Sequence, residues 1–580
     1  MAVTNLPGAR VASGEPSPEA RPVDAAAMAV RRLIHLLRLE NEGISIVFVY
    51  AVGIGLASLA APIGVQMLVS AIAFGGLVQP IAILSLLVLV ALAFAAVLRA
   101  TQTWVVERLQ QRLFVRVAAD LADRLPHVAV SSFDKRYGPE LVNRFFDVLT
   151  IQKGAATFLL DGIFVALQMI VGVILLTLYH PALLGFAVAL LLALVAILIG
   201  LGGGGAKTSI KESEAKYALV AWFEEMARHP TIFRGHGAAD FAMRRSDELT
   251  HRYIEGRKAH FHILFRQTIA FLALQAIATA ALLGLGGFLV LSGALTLGQL
   301  VAAELILTSV VAGFAKLGKY LETFYDLIAA MGKLGNLVDL PLERTATARL
   351  ERVNRPLSIR IASAEYAYDG NTKSLGPISL DIEPGARVAV IGPNGSGKST
   401  LIDLVYGLRE PTRGHLEVDG LPLRDLSLGS LRENMSLVRG AEIFDGTVLD
   451  NVCMGRTDVS LADVRRALET VDLWEDLSSL PDGLGTHLTT NGRNLSAGQA
   501  QRLAIARAIV ARPRCLLLDE ALDHLDPKSR HTVLSRVLGP EVPWTVIVTT
   551  HDPTVAHACT RAFVIGPTER DHLQLLSGDT

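Results

Sequence analysis

The stretch Gly392-Pro393-Asn394-Gly395-Ser396-Gly397-Lys398-Ser399-Thr400 is where residue types and spacing most directly specify chemistry. It fits G-x-x-x-x-G-K-[ST], a loop that wraps the phosphates of a nucleoside triphosphate. Its glycines let backbone N–H groups turn inward around phosphate oxygens, and a following helix N-terminus adds partial positive charge. Lys398 would reach the β- and γ-phosphates, and the Ser399 hydroxyl would ligate Mg²⁺. A plain glycine-rich turn beside a lysine would not need a strand before it and a helix after it. Both are expected here: Arg387 to Ile391 reads as a short buried strand, and Leu401 to Val405 as the start of a helix.

The elements that must position this loop belong to a long chain. Its 580 residues suggest two or more domains, and 51% of them are hydrophobic. The long apolar runs lie before about residue 325, and the remainder reads as a soluble α/β domain. Basic and acidic residues balance at 54 and 55, so nothing points to nucleic acid as a partner. Cys453, Cys515 and Cys559 form no C-x-x-C pair and have no histidine cluster beside them, which argues against zinc or a disulfide framework. Residues 1–26 lack the apolar core of a signal peptide and read as a disordered tail. From Ala27 to Leu39 apolar and basic residues alternate, as in an amphipathic helix on the inner membrane surface; a plain cytoplasmic helix is the alternative.

Six stretches are apolar and long enough to span a hydrocarbon core of roughly 30 Å. They lie near 45–72, 80–98, 157–178, 182–202, 267–290 and 298–316. Tyr179-His180-Pro181 is the turn between the third and fourth. The connections at 73–79, 179–181 and 291–297 carry no Lys or Arg, whereas Arg99, Arg108, Arg112, Lys135, Arg136 and Lys207 lie on the other side. By the positive-inside rule both chain ends are cytoplasmic. The inner connections, 99–156 and 203–266, read as helices with tips expected at Tyr137–Leu141 and Ala221–Glu225. These tips would dock on the soluble part, or Trp222 and Phe223 would only anchor the helices to each other. The run Gly200–Gly205 predicts a kink or break.

Leu495-Ser496-Ala497-Gly498-Gln499, followed by Ala500 to Ala508 and then Cys515-Leu516-Leu517-Leu518-Asp519-Glu520, resembles the ATP-binding cassette transporters. The likeness covers nearly the whole chain and is closest to exporter-type half-transporters. It implies an α-helical membrane domain of six crossings with long cytoplasmic extensions (27–345) and an α/β phosphate-loop NTPase domain of the cassette type (346–580). Asp519 would hold Mg²⁺, Glu520 would be the general base on the attacking water, and His551 would contact the γ-phosphate. Tyr368 would stack on adenine, with Tyr366 as the fallback. Ser496 and Gly498, with Gln499, would complete an ATP site on the 392–400 loop of a second subunit, so the resemblance implies a dimer in a lipid bilayer, here the bacterial inner membrane.

Some positions depart from the family. A glutamine expected after Ser436-Leu437-Val438 is absent; the segment continues Arg439-Gly440-Ala441-Glu442. Glu442 in its place, or Arg439 as a phosphate contact, are the two replacements. Asp523-His524-Leu525-Asp526 stands where Ser-Ala-Leu-Asp is usual, Leu488 to Asn491 lacks the usual acid, and Ala497 replaces a glycine. An ATP-driven exporter working as a homodimer is the favoured reading. The missing glutamine motivates a second, the regulatory half of a heterodimer; an ATP-gated protein that does not pump is a third. The cargo is not legible. Glu304 in the sixth crossing either meets a cationic cargo group or reaches water near the outer interface.

Overall fold

The computed structural model describes residues 22–73, 78–134, 137–368, 372–523 and 525–566. Most of the expected tail, four residues of the first outer connection, Lys135, Arg136 and His524 lie outside them. The chain divides into two compact units, the first ending at Pro341 and the second taking up from Leu342.

Among the described residues of the first unit five helices are long and apolar enough to cross a membrane: Asn41–Ile72, Ile81–His127, Gly138–Tyr179, Pro181–Leu201 and Ala238–Leu291. The sixth expected crossing opens the helix Leu297–Val338, whose described apolar part is the shorter Leu297–Val310. Thr296 starts that helix with a capping box, its hydroxyl accepting from the Gln299 amide at 3.2 Å. Asn41–Ser58 and Ala60–Ala73 meet at Leu59. Pro62 explains the join, because its ring nitrogen cannot donate to the Ser58 carbonyl four residues back and its ring crowds it. The turn at His180 is as expected, with its Nδ1 accepting from the Ala182 amide at 3.1 Å.

The glycine run breaks the chain between the helices Pro181–Leu201 and Gly205–Arg228. Gly204 there has φ of +86°, open to glycine without strain. A Cβ on Gly205 would lie 2.4 Å from the Tyr325 ring, so the run also admits a close helix contact.

Two expectations are corrected. Ala221 to Glu225 is no tip: it lies inside the helix Gly205–Arg228, and the reversal comes at His229–Gly237. Trp222 anchors that hairpin, edge-on to Phe233 at 5.4 Å and Phe241 at 6.1 Å, with Nε1 donating to Ser246 Oγ. The N-terminal helix begins at Pro22, inside the expected tail, and runs to Arg38. Ala29, Val30, Leu33 and Leu36 pack with Met331 and Leu334 of the bundle, so its apolar face covers protein; Met28, Ile34 and Leu39 stay exposed.

The second unit is built on a five-stranded parallel sheet of Arg387–Ile391, Met435–Arg439, Cys515–Asp519, Thr545–Thr549 and Arg561–Val564. Successive side chains leave opposite faces of each strand. Leu516, Leu518, Val546 and Val548 enter one core, and Cys515, Leu517 and Ile547 enter the other. Burial in that second core pushes the Cys515 thiol well above its usual range. A four-stranded antiparallel sheet that includes Ile359–Tyr368 and Thr372–Ile382 flanks it.

Candidate nucleotide site

The expected strand and helix around the phosphate loop are Arg387–Ile391 and Lys398–Val405. Gly395 and Gly397 have φ of +80° and +98°, and a Cβ on Gly392 would lie 2.4 Å from the Ile565 carbonyl oxygen. A side chain at any of the three would deform the loop. Pro393 and Asn394 form its exposed crest; the Ser396 amide donates to the Pro393 carbonyl at 3.2 Å. Ser396 Oγ is buried with no hydrogen-bond partner, an unused donor inside a cradle shaped for anions.

Lys398 is 5% exposed and folds back into this cradle. Its Nζ donates to the carbonyls of Gly392 at 3.0 Å and Pro393 at 3.2 Å. It also lies 3.0 Å from His551 Nε2 and 3.9 Å from Glu520 Oε1, while His551 Nε2 and Glu520 Oε1 are 3.3 Å apart. Three residues chosen for hydrolysis thus converge from three separate elements.

Parallel pairing makes this convergence possible. Asp519 ends the strand Cys515–Asp519 level with Thr549 on one neighbour and Arg439 on the other. Asp519 Oδ1 accepts from Thr549 Oγ1 at 2.6 Å and Ser399 Oγ at 3.1 Å. Ser399 and Asp519 are hard oxygen donors side by side, a set that suits a small divalent cation. Glu520 follows with φ of +53°, an uncommon conformation held by its amide bonds to the Thr549 carbonyl and hydroxyl. Thr400 is buried behind the loop.

The aromatic end has Tyr368 and Tyr366 edge-on at 5.0 Å, with the Arg409 guanidinium 4.6 Å over the Tyr368 ring. Arg409 also donates to the Tyr366 hydroxyl at 3.0 Å and pairs with Asp403 at the same distance. The signature residues behave differently. Ser496 caps the helix Ala497–Val510 in a box with Gln499, its hydroxyl accepting from the Gln499 amide at 3.1 Å. No atom crowds the Cα of Gly498. Among the described residues neither Ser496 nor Gln499 bonds to a group of the phosphate pocket; Gln499 reaches Asp476 instead.

Of the replacements open for the missing glutamine, Glu442 is exposed and its carbonyl accepts from Arg507. Arg439 is the residue in the pocket, its Nε 2.6 Å from Asp519 Oδ2. Burial works against its charge, but Asp403 and Asp519 outweigh that and raise its pKa.

Sequence reasoning missed four positions. Thr549 holds the Asp519 carboxylate and the Glu520 backbone amide. Asp403 and Arg409 tie the aromatic end to the metal side. Asp523 accepts from the His551 amide at 3.0 Å and from the Thr550 hydroxyl, fixing the segment that carries His551. Asp552 caps the next helix, and the Thr554 amide and its other hydrogen bonds hold the Asp552 carboxyl below the usual range. A threonine ending a buried strand beside two acids was the readable signal for the first of these.

A phosphate loop, two consecutive acids at a strand end and a capped signature helix, joined to apolar helices of membrane length, define a membrane transporter powered by ATP. Residues 44–313 match the ABC transporter transmembrane region, and 375–523 match the ABC transporter family. The chain is 30% identical over 465 residues to an ATP-dependent lipid A-core flippase of Cupriavidus metallidurans, covering 77% of this chain and 76% of that one. It is 29% identical over 469 residues to a mycobactin import ATP-binding/permease protein of Mycolicibacterium thermoresistibile, covering 77% and 78%. A solved bacterial Atm1-family ABC exporter with ATP bound shares the fold at a TM-score of 0.81, with 23% identity over 91% of this chain and 93% of that one. The chain belongs to the ABC transporter family. It is an integral membrane protein of the exporter half-transporter type, binding ATP and hydrolysing it to move a cargo.

Proposed function

We propose that the chain exports its cargo across a bacterial inner membrane as a dimer, both termini cytoplasmic, with residues 27–345 as the membrane part and 346–580 as the ATP-binding part. The observation that carries the dimer is the signature helix. Ser496 and Gly498 stand open and unbonded to their own phosphate pocket, so they are free to close on the pocket of a second subunit.

In that reading residues 392–400 bind the phosphates through backbone amides and Lys398, and Tyr368 supplies an aromatic face for adenine. Ser399 and Asp519 would hold Mg²⁺, which would offset phosphate charge. Glu520 takes the proton of the attacking water, and His551, 3.3 Å from it, orients that carboxylate and meets the γ-phosphate. Lys398 exchanges its loop carbonyls for phosphate oxygens, a small rearrangement within a preformed cradle.

The cargo reading rests on a polar group in the membrane unit. Arg99 pairs with Asp161 and donates to the Leu160 carbonyl at 2.6 Å, where a π turn, Phe158–Gly162, interrupts the helix. With Gln168, Ser309, Lys316 and Tyr320 they line a cavity of about 440 Å³. Two cations against one anion suit a negatively charged headgroup on an amphiphile, in keeping with lipid A-core flippases among the relatives.

The test is transport in reconstituted vesicles. Protein with wild-type sequence accumulates an anionic amphiphile against its gradient on ATP addition, Glu520→Gln does not, and Arg99→Gln keeps basal ATP hydrolysis while losing stimulation by cargo. Ion conduction without ATP turnover would instead favour a gated protein.

A further inference from the structure

The guanidinium of Arg439 lies against Asp519, the carboxylate that would hold Mg²⁺. Its Nε donates to Asp519 Oδ2 at 2.6 Å and its Nη2 to the Ser399 carbonyl at 3.2 Å, while Nη2 lies 2.8 Å from Asp403 Oδ1. The second Asp519 oxygen is held by Thr549 and Ser399, so both carboxylate oxygens have protein partners. Gly440, with φ of +65°, turns the chain directly after Arg439 and ends the strand at that point. Asp403 has its own second cation in Arg409, which lies over Tyr368. An unbroken chain of charge therefore runs from the adenine end through Arg409, Asp403 and Arg439 to Asp519.

A guanidinium stays charged at all working pH values and offers five donors in a flat fork, enough for two carboxylates and a phosphate oxygen at once. At 38% side-chain exposure, Arg439 has an open flank beside the first turn after the phosphate loop.

We propose that Arg439 is a tethered cation of the nucleotide site, supplying part of the positive charge that the phosphates would otherwise draw from Mg²⁺ and holding Asp519 until nucleotide arrives. This rests on the reading of residues 392–400 as the nucleotide site. It makes nucleotide affinity only weakly dependent on divalent metal. A merely structural ion bridge predicts otherwise: its loss would shift affinity with and without Mg²⁺ together.

The experiment measures the Kd of full-length protein for trinitrophenyl-ATP in Mg²⁺ and in EDTA, and compares their ratio between variants. The wild type loses about tenfold affinity or less on metal removal. In Arg439→Gln the ratio grows by a further factor of about ten or more, the scale of one charge-assisted hydrogen bond. Arg439→Lys, which keeps the charge but not the fork, falls between, and it carries the test if the glutamine variant does not fold. A wild-type loss above about a hundredfold, or equal ratios in all three proteins, overturns the proposal. No binding of the probe in either condition would overturn the nucleotide-site reading itself.

Discussion

Polar groups are treated differently around the phosphates and along the membrane helices. In the phosphate pocket, Ser396 Oγ excepted, they partner one another: Lys398 with loop carbonyls, Asp519 with Ser399, Thr549 and Arg439, and Glu520 with His551. Among the described membrane helices Glu304 Oε2 and Gln275 Oε1 are buried without a partner. An unpaired buried polar group costs about 1–3 kcal/mol. The pocket thus reads as a site preorganised for one ligand. The membrane unit keeps polar atoms that a cargo or a second subunit could satisfy.

The largest break in this comparison is expected at Glu520. Glu520→Gln should lower ATP hydrolysis by about 10²–10⁴-fold while leaving nucleotide binding near the wild-type level, checked by phosphate release alongside binding. Retained turnover would show that the preorganised carboxylate is not the base.

Next in size is the helix break. Gly205→Leu drives a side chain into the Tyr325 ring and should cost about 1–3 kcal/mol, seen as a lower Tm in detergent. Adding Tyr325→Ala should restore part of it. Full stability of the single variant would mean the glycine run has no packing role.

Glu304→Gln should have a smaller and more selective effect. Basal ATP hydrolysis should hold, and the cargo-stimulated part should fall if the orphaned oxygen meets cargo. Transport unchanged at every pH would leave Glu304 as a group that reaches water.

The smallest effect expected concerns Lys333 in the helix Leu297–Val338, beyond its apolar part Leu297–Val310. Its Nζ donates to the Ser213 carbonyl at 3.0 Å and lies 3.6 Å over the Tyr217 ring, near Asp147, Lys216, Arg144 and Glu214. Burial lowers its pKa from 10.5 to about 7. The unfolded chain then binds the extra proton between those values, so this group's contribution to stability rises with pH across that window and is least favourable below it. Lys333→Met should flatten the rise in Tm between pH 7 and 10.

Local motifs and periodicities were legible because they are written in neighbouring residues. The loop from Gly392, the strand ending at Asp519 and the turn at His180 all appear where spacing puts them. What was not legible depends on residues far apart in sequence. Trp222 could be read as a tip or as an anchor between helices, because its exposure could not be judged without Phe233 and Phe241 folded against it. Arg439 could not be preferred to Glu442 as the replacement for the lost glutamine, since strand pairing is what sets it level with Asp519. The amphipathic helix after Ala27 had the right pattern, but pattern alone does not say whether lipid or Met331 and Leu334 cover its apolar face.

The central claim is that each ATP site is built by two subunits, and a mixed dimer tests it most directly. Chains carrying Lys398→Ala and chains carrying Ser496→Arg are each inactive alone. Purified by two different tags, their mixed dimer should regain ATP hydrolysis. One of its two sites then pairs an intact 392–400 loop with an intact Ser496 from the other chain. A mixed dimer as inactive as either parent would contradict the account, because sites contained within one chain would leave both defective.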